Sequence, residues 1–84
     1  MIVVYVLKSI DSNYHYIGHT KDMNKRLIQH NVGKVRASKA HRPYRVIYQE
    51  EVQSRSEAVK RERYLKKGKG NIWLRNKLIG LNLW

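Results

Sequence analysis

The sequence predicts an α+β fold, a small sheet with its first strand in the middle and about three helices, in the order β-β-α-β-α-α. Three observations carry this. Ile2-Val3-Val4-Tyr5-Val6-Leu7 is β-branched and aromatic with no polar interruption, the pattern of a strand buried on both faces. A turn cluster, Ser9-Ile10-Asp11-Ser12-Asn13, separates it from a second apolar and aromatic run, so residues 2–19 read as a hairpin. Past residue 54, helix start and stop signals recur with no strand between them. With 84 residues and no cysteine, the chain is expected to be one domain, 1–84, held by apolar packing alone.

Period two puts Val3, Tyr5 and Leu7 on one face of the first strand, and Tyr14, Tyr16 and Gly18 on one face of the second. A helix then starts near Asp22, with Thr20 or Asp22 as N-cap and Gly33 just past its end. Met23 and Leu27, with Ile28 beside them, form its apolar stripe, and Arg26 and His30, four apart, are neighbours on an adjoining face. Residues 34–43 are basic and read as a loop closed by Pro43, and residues 44–52 as a third strand centred on Val46 and Ile47. Ser54 and Glu57 have capping-box spacing at the start of the second helix, which Gly68 ends. The stripe Ala58, Val59, Leu65 is completed by Glu62, an acid placed where the helix faces the core. A short last helix, 71–79, is anchored by Ile72, Trp73 and Leu78 and ended by Gly80, and the tail 81–84 is apolar enough to pack back.

Charge narrows the function. Eighteen Lys and Arg face six Asp and Glu, a net +12. Residues 1–20 are neutral overall, 21–45 sum to +7, 46–53 to −2 and 54–84 to +7, so two basic segments follow an uncharged hairpin. Such an excess in a small domain calls for a polyanion, and nucleic acid is the first candidate. Lys21, Lys25, Lys34, Arg36, Lys39, Arg42, Lys60, Arg63 and Lys67 are the candidate phosphate contacts. No helix sets a clean basic face against a broad aromatic one, as a membrane-surface helix would, and no segment approaches membrane-spanning length. Nothing at the N-terminus has a signal-peptide pattern, so the expected location is the cytoplasm.

Hydrolysis of a phosphodiester requires an aligned water that loses a proton, groups that meet the phosphoryl charge, and neutralisation of the leaving oxygen. One inward carboxylate suffices to hold a Mg²⁺ ion jointly with the substrate phosphate. A guanidinium fork bridges phosphoryl oxygens, and a tyrosine can act as base when neighbouring groups activate it. Val4-Tyr5-Val6, then Tyr16-Ile17-Gly18, Thr20, Arg26, His30-Asn31 and Ser56-Glu57-Ala58 with Glu62 and Leu65 together resemble the GIY-YIG nuclease superfamily. The similarity covers nearly the whole chain and is greatest to the small single-domain bacterial branch, which is similar to the N-terminal nuclease domain of the excision-repair incision subunit. Val3-Val4-Tyr5 stands where the name-giving pattern has Gly-Ile-Tyr.

The resemblance implies a three-stranded antiparallel sheet with the first strand central, and one-metal hydrolysis of DNA with Mg²⁺ or Mn²⁺. By position, Tyr5 and Tyr16 match the two motif tyrosines, one of which is the general base. Arg26 matches the arginine that stabilises phosphoryl charge, His30 a proton partner, and Glu62 the metal ligand. Gly18 is the close-approach glycine, and His19 falls where other members carry Lys or His. Asn71 and Asn76 are the candidates for a late asparagine found in many members. Without a separate recognition domain, the implied activity is structure-selective or weakly selective cutting in DNA repair or recombination. The expected substrate is duplex or branched DNA, with RNA as an alternative, and a protein partner for targeting is a further expectation.

Other readings attach to the same residues. Tyr5 and Tyr16 taken singly pass as half-buried sheet aromatics, Arg26 and His30 as a solvated helix face, and Glu62 as an ion-pair partner of Arg61, Arg63 or Lys66. The alternative to an enzyme is a non-catalytic binding module on the same fold; a helix-turn-helix reader in residues 54–79, using Asn71, Arg75 and Asn76, is weaker. His15, His19, His30 and His41 without cysteine do not make a zinc pattern.

Overall fold

The computed structural model describes residues 1–84. Strands β1 (Ile2–Ser9), β2 (His15–Thr20) and β3 (Tyr44–Val52) form one antiparallel sheet in the order β2-β1-β3, as expected with the first strand central. Helices α1 (Met23–Asn31), α2 (Arg55–Lys66) and α3 (Gly68–Gly80) complete the order β-β-α-β-α-α.

Burial of β1 on both sides divides its side chains between two cores. Ile2, Val4 and Val6 join Ile17 and Ile47 against Ala58 and Leu65 of α2 and Leu74 and Leu78 of α3. Val3, Tyr5 and Leu7 point the other way, into a smaller cluster with Tyr14, Tyr16, Tyr44, Val46 and the α1 residues Met23 and Leu27. Between β1 and β3 the register slips at Val6 and Leu7, which pair with Tyr48 and Val46 and leave Ile47 as the extra residue. That bulge lets Ile47 join the first core while Tyr44 and Val46 face the second.

The caps fall where the polar residues predict. Asp22 accepts from the Lys25 N–H at the start of α1, and Ser54 accepts from the Glu57 N–H at the start of α2. Five expectations need correction. In α2 the inward apolar residues are Ala58 and Leu65, while Val59 is exposed, one position round the helix from Ala58. In α1 the inward stripe is Met23, Leu27 and His30, while Ile28 is 63% exposed; the spacing 23, 27, 30 follows the helix period, and an imidazole occupies the apolar position. The basic segment 34–43 contains a one-turn 3₁₀ helix, Lys39–His41. Gly68, with φ +64, opens α3 as well as closing α2, so the last helix starts three residues before residue 71. A Cβ at Gly70 would drive into the Tyr64 carbonyl, and the bare glycine is what lets α3 begin so close to the end of α2. Finally, α3 is anchored by Gly70, Leu74 and Leu78, one helical face, whereas Ile72 and Trp73 are exposed. In the tail Leu83 and Trp84 do pack on the first core.

Candidate active site

The hairpin register sets Tyr5 opposite Gly18 and Leu7 opposite Tyr16, so both tyrosines share the α1 side of the sheet. Their rings lie 6.3 Å apart, roughly stacked. Gly18 makes this possible: a Cβ there would stand 2.7 Å from Tyr5 Oη and 3.0 Å from Tyr16 Cε1. One turn of α1 delivers Arg26 and His30 to the same place. Arg26 Nε–H donates to Tyr5 Oη at 3.5 Å, and Tyr5 Oη lies 2.8 Å from His30 Nε2.

His30 is fully buried, which rules out the solvated-face reading for it. Its Nδ1 lies 2.6 Å from the Oγ of Ser38, a residue in the basic loop that is itself fully buried. Desolvation, aided by the Arg26 charge, pulls the imidazole from 6.5 down to about 4, so the ring is neutral at neutral pH. Burial pushes the Tyr5 phenol up to about 12 against the pull of the Arg26 hydrogen bond, with the Tyr16 and Glu62 charges adding to the rise. In the free protein, therefore, Tyr5 holds its proton.

Glu62 projects from α2, between the buried Ala58 and Leu65, toward the other side of β2. Its Oε1 is 2.7 Å from His19 Nδ1, one residue beyond Gly18, and its Oε2 accepts from Lys66 Nζ at 2.7 Å. Burial works to raise this carboxyl, but the hydrogen bonds from Lys66 and His19 outweigh it and hold the group below its ordinary value, ionised. Of the three basic partners considered for Glu62, Lys66 is the one found; Arg61 pairs with Glu50. The donor set here is one ionised carboxylate with a histidine beside it, and nowhere do three His, Cys, Asp or Glu side chains converge. That chemistry fits a hard cation shared with substrate phosphate and water, and does not fit a closed all-protein cage.

Arg26 and His19 both border an open cleft of about 510 Å³ whose walls also include Lys21, Lys25 and Arg55, with Ile2 its one apolar residue. Arg36, Lys39 and Arg42 line a second cationic concavity on the basic loop. Lys60, Arg63 and Lys67 are exposed along α2 and the turn after it, and Lys34 is exposed at the start of the loop. Asn71 is committed to the Leu65 carbonyl at 2.9 Å, near Tyr16 and Lys66, whereas Asn76 is exposed. This removes Asn71 from the base-reading residues of a helix-turn-helix. The four histidines go to four places: His15 stacks on Trp84, His19 meets Glu62, His30 meets Tyr5 and His41 stacks on Tyr14. Ser38 was the site-adjacent residue with no signal in the sequence, being the one small hydroxyl in a run of bases.

A family model described as the GIY-YIG catalytic domain matches residues 1–76. A UPF0213 protein of Staphylococcus epidermidis is 44% identical over 64 residues, covering 75% of this chain and 77% of the relative. UPF0213 proteins of Staphylococcus saprophyticus and Staphylococcus aureus are 41% identical over 64 residues with the same coverage. No solved structure matches the chain. No helix is long and apolar enough to cross a membrane.

Proposed function

The chain belongs to the GIY-YIG catalytic domain family, a nuclease family, and from that premise we propose that it is a divalent-metal-dependent DNA endonuclease with weak or structure-based selectivity, acting in repair or recombination. The observation that carries this is the convergence of the buried Tyr5–His30 pair with Arg26 on the wall of a cationic cleft.

A scissile phosphate in that cleft meets the Arg26 guanidinium, which pairs with two phosphoryl oxygens and stabilises the charge that grows there. Tyr5 is the base favoured by the geometry, because its hydroxyl already has an acceptor in His30 Nε2. As a water oxygen bonds to phosphorus, the water proton passes to Tyr5 Oη and the phenolic proton passes to His30 Nε2. The bond from phosphorus to the leaving sugar oxygen then breaks, and that oxygen takes a proton from water in the open cleft. This transfer is uphill in the free protein, since Tyr5 sits high and His30 low. Phosphate bound at Arg26 offsets the positive charge that depresses His30, so substrate itself makes the imidazole a better acceptor. Tyr16, stacked on Tyr5 and edge-on to His30 at 4.8 Å, holds the two rings in place. Glu62 is the residue that would hold Mg²⁺ or Mn²⁺, with His19 orienting its carboxylate. A cation bound there supplies Lewis-acid neutralisation of phosphoryl charge. Lys66, half exposed, is free to swing off the carboxylate. The basic loop and the outer face of α2 track the flanking phosphates.

The test is nicking of supercoiled plasmid by purified protein with Mg²⁺ or Mn²⁺, run beside Glu62→Gln and Arg26→Ala. Metal-dependent nicking that both variants lose supports the reading. Salt-sensitive DNA binding without nicking, on plasmid and on branched substrates, would instead assign a binding module on this fold.

A further inference from the structure

Ser38 lies at the centre of the basic loop yet has no exposed surface. Its backbone is pinned: its N–H donates to the Val35 carbonyl at 3.2 Å, and its own carbonyl accepts from the buried Tyr44 hydroxyl. Tyr44 is in turn fixed by Asn31 at the end of α1, whose Oδ1 accepts from the Tyr44 N–H at 2.7 Å and whose Nδ2 donates to the Tyr44 carbonyl at 3.3 Å. The Ser38 hydroxyl therefore meets His30 from a rigid frame.

The hydrogen bonds around this hydroxyl decide the imidazole tautomer. Tyr5 Oη accepts from Arg26 Nε–H, and the phenolic proton, on a residue 1% exposed, needs an acceptor; His30 Nε2 at 2.8 Å is the one in reach. Nε2 is thus the bare nitrogen, and the neutral ring carries its proton on Nδ1. Nδ1–H donates to Ser38 Oγ at 2.6 Å, and Ser38 Oγ–H has its own acceptor in the Val35 carbonyl at 3.4 Å. Every donor in the chain Arg26, Tyr5, His30, Ser38, Val35 has one acceptor. The opposite tautomer would leave the Tyr5 proton buried without a partner.

We propose that Ser38 is a positioning residue: by accepting from His30 Nδ1–H it holds the ring in the tautomer whose Nε2 can take the Tyr5 proton, and it fastens that relay to the phosphate-facing loop. The tautomer half stands on the hydrogen bonds alone; the catalytic half rests on the nuclease reading above. Lys34, Arg36, Lys39 and Arg42 share the loop with Ser38, so the segment that grips nucleic acid also sets the acceptor.

The experiment separates the two halves. Long-range ¹H–¹⁵N spectra of the intact, histidine-labelled protein at neutral pH report which nitrogen of His30 is protonated, with no need for cleavage. The expected result is Nδ1–H in the parent, a mixed or inverted tautomer in Ser38→Ala, and the parent pattern in Ser38→Thr. A proton on Nε2 in the parent, or an unchanged tautomer in Ser38→Ala, would overturn the proposal whether or not the protein cuts DNA. Should Ser38→Ala fail to fold, Ser38→Cys, of similar size but a weaker acceptor, takes its place with the same shift of tautomer expected. In the nicking assay Ser38→Ala should lower kcat by about 10- to 100-fold with KM within about twofold, and Ser38→Thr should restore it. A parent-like kcat with a shifted tautomer would overturn the catalytic half, while failure of the parent to nick would overturn the nuclease reading and leave the tautomer result standing.

Discussion

Acid should undo this protein in part through a single side chain. His30 is neutral and fully buried, and its folded pKa of about 4 lies below the ordinary 6.5. Between those values the unfolded chain binds a proton that the folded one refuses, so stability falls as pH falls through the window and is fully present above it. The gap from 6.5 to about 4, at about 1.4 kcal/mol per tenfold, comes to about 3 kcal/mol, of which about 2 is gone by pH 5. That is a large share of the ~5–15 kcal/mol a domain has in total. The assay is urea unfolding of the parent and His30→Gln at pH 7 and pH 5. His15, also depressed by burial, titrates in both proteins and cancels in the comparison. The parent should lose about 2 kcal/mol more than the variant over that interval, and proton NMR should show the His30 ring still uncharged at pH 5. Equal losses in the two proteins, or a His30 that titrates near 6.5, would refute both the depressed imidazole and the buried hydrogen-bond chain it supports.

Three more outcomes can be checked. Glu62→Gln should cut the metal-dependent nicking rate by at least about 100-fold while leaving the circular dichroism spectrum and DNA affinity close to the parent's, since the carboxylate carries charge rather than packing. Gly18→Ala, whose Cβ would stand 2.9 Å from Tyr5 Cζ, should cost about 1–3 kcal/mol in urea unfolding and displace the Tyr5 ring; a variant as stable and active as the parent would refute the close approach. Replacing Lys34, Arg36, Lys39 and Arg42 together by Ala should flatten the slope of log binding constant against log salt by about 3 to 4, measured by fluorescence anisotropy, if all four meet phosphate.

Much of this was legible in the residues. The unbroken apolar run of β1 announced a strand covered on both sides, and Asp22 and Ser54 announced their helices, because these signals are local. The start of α3 was hidden because Gly68 and Gly70 read as punctuation, and only the nearness of the Tyr64 carbonyl explains a glycine inside that helix. Its anchors were obscured for another reason: Ile72, Trp73, Leu74, Leu78 and Ile79 are apolar on several faces, so hydrophobicity does not single out Leu74. At the site, the spacing of Arg26 and His30 was readable, but a polar ring in an apolar stripe was not, because what makes it tolerable is Tyr5 on one side and Ser38 on the other. Ser38 itself depends on a tertiary contact and leaves no pattern.

The division of β1 between two cores has a consequence for how the protein behaves when it is only partly formed. Tyr5 lies on the strand whose alternate residues hold both halves of the molecule, so no fragment that loses either half keeps the tyrosine in register with Gly18. The amides of this strand should be among the slowest to exchange with solvent, opening only when the whole molecule opens. If the proposed nuclease activity holds, a chain still emerging or half unfolded would be inert, and cutting would begin only with the completed fold.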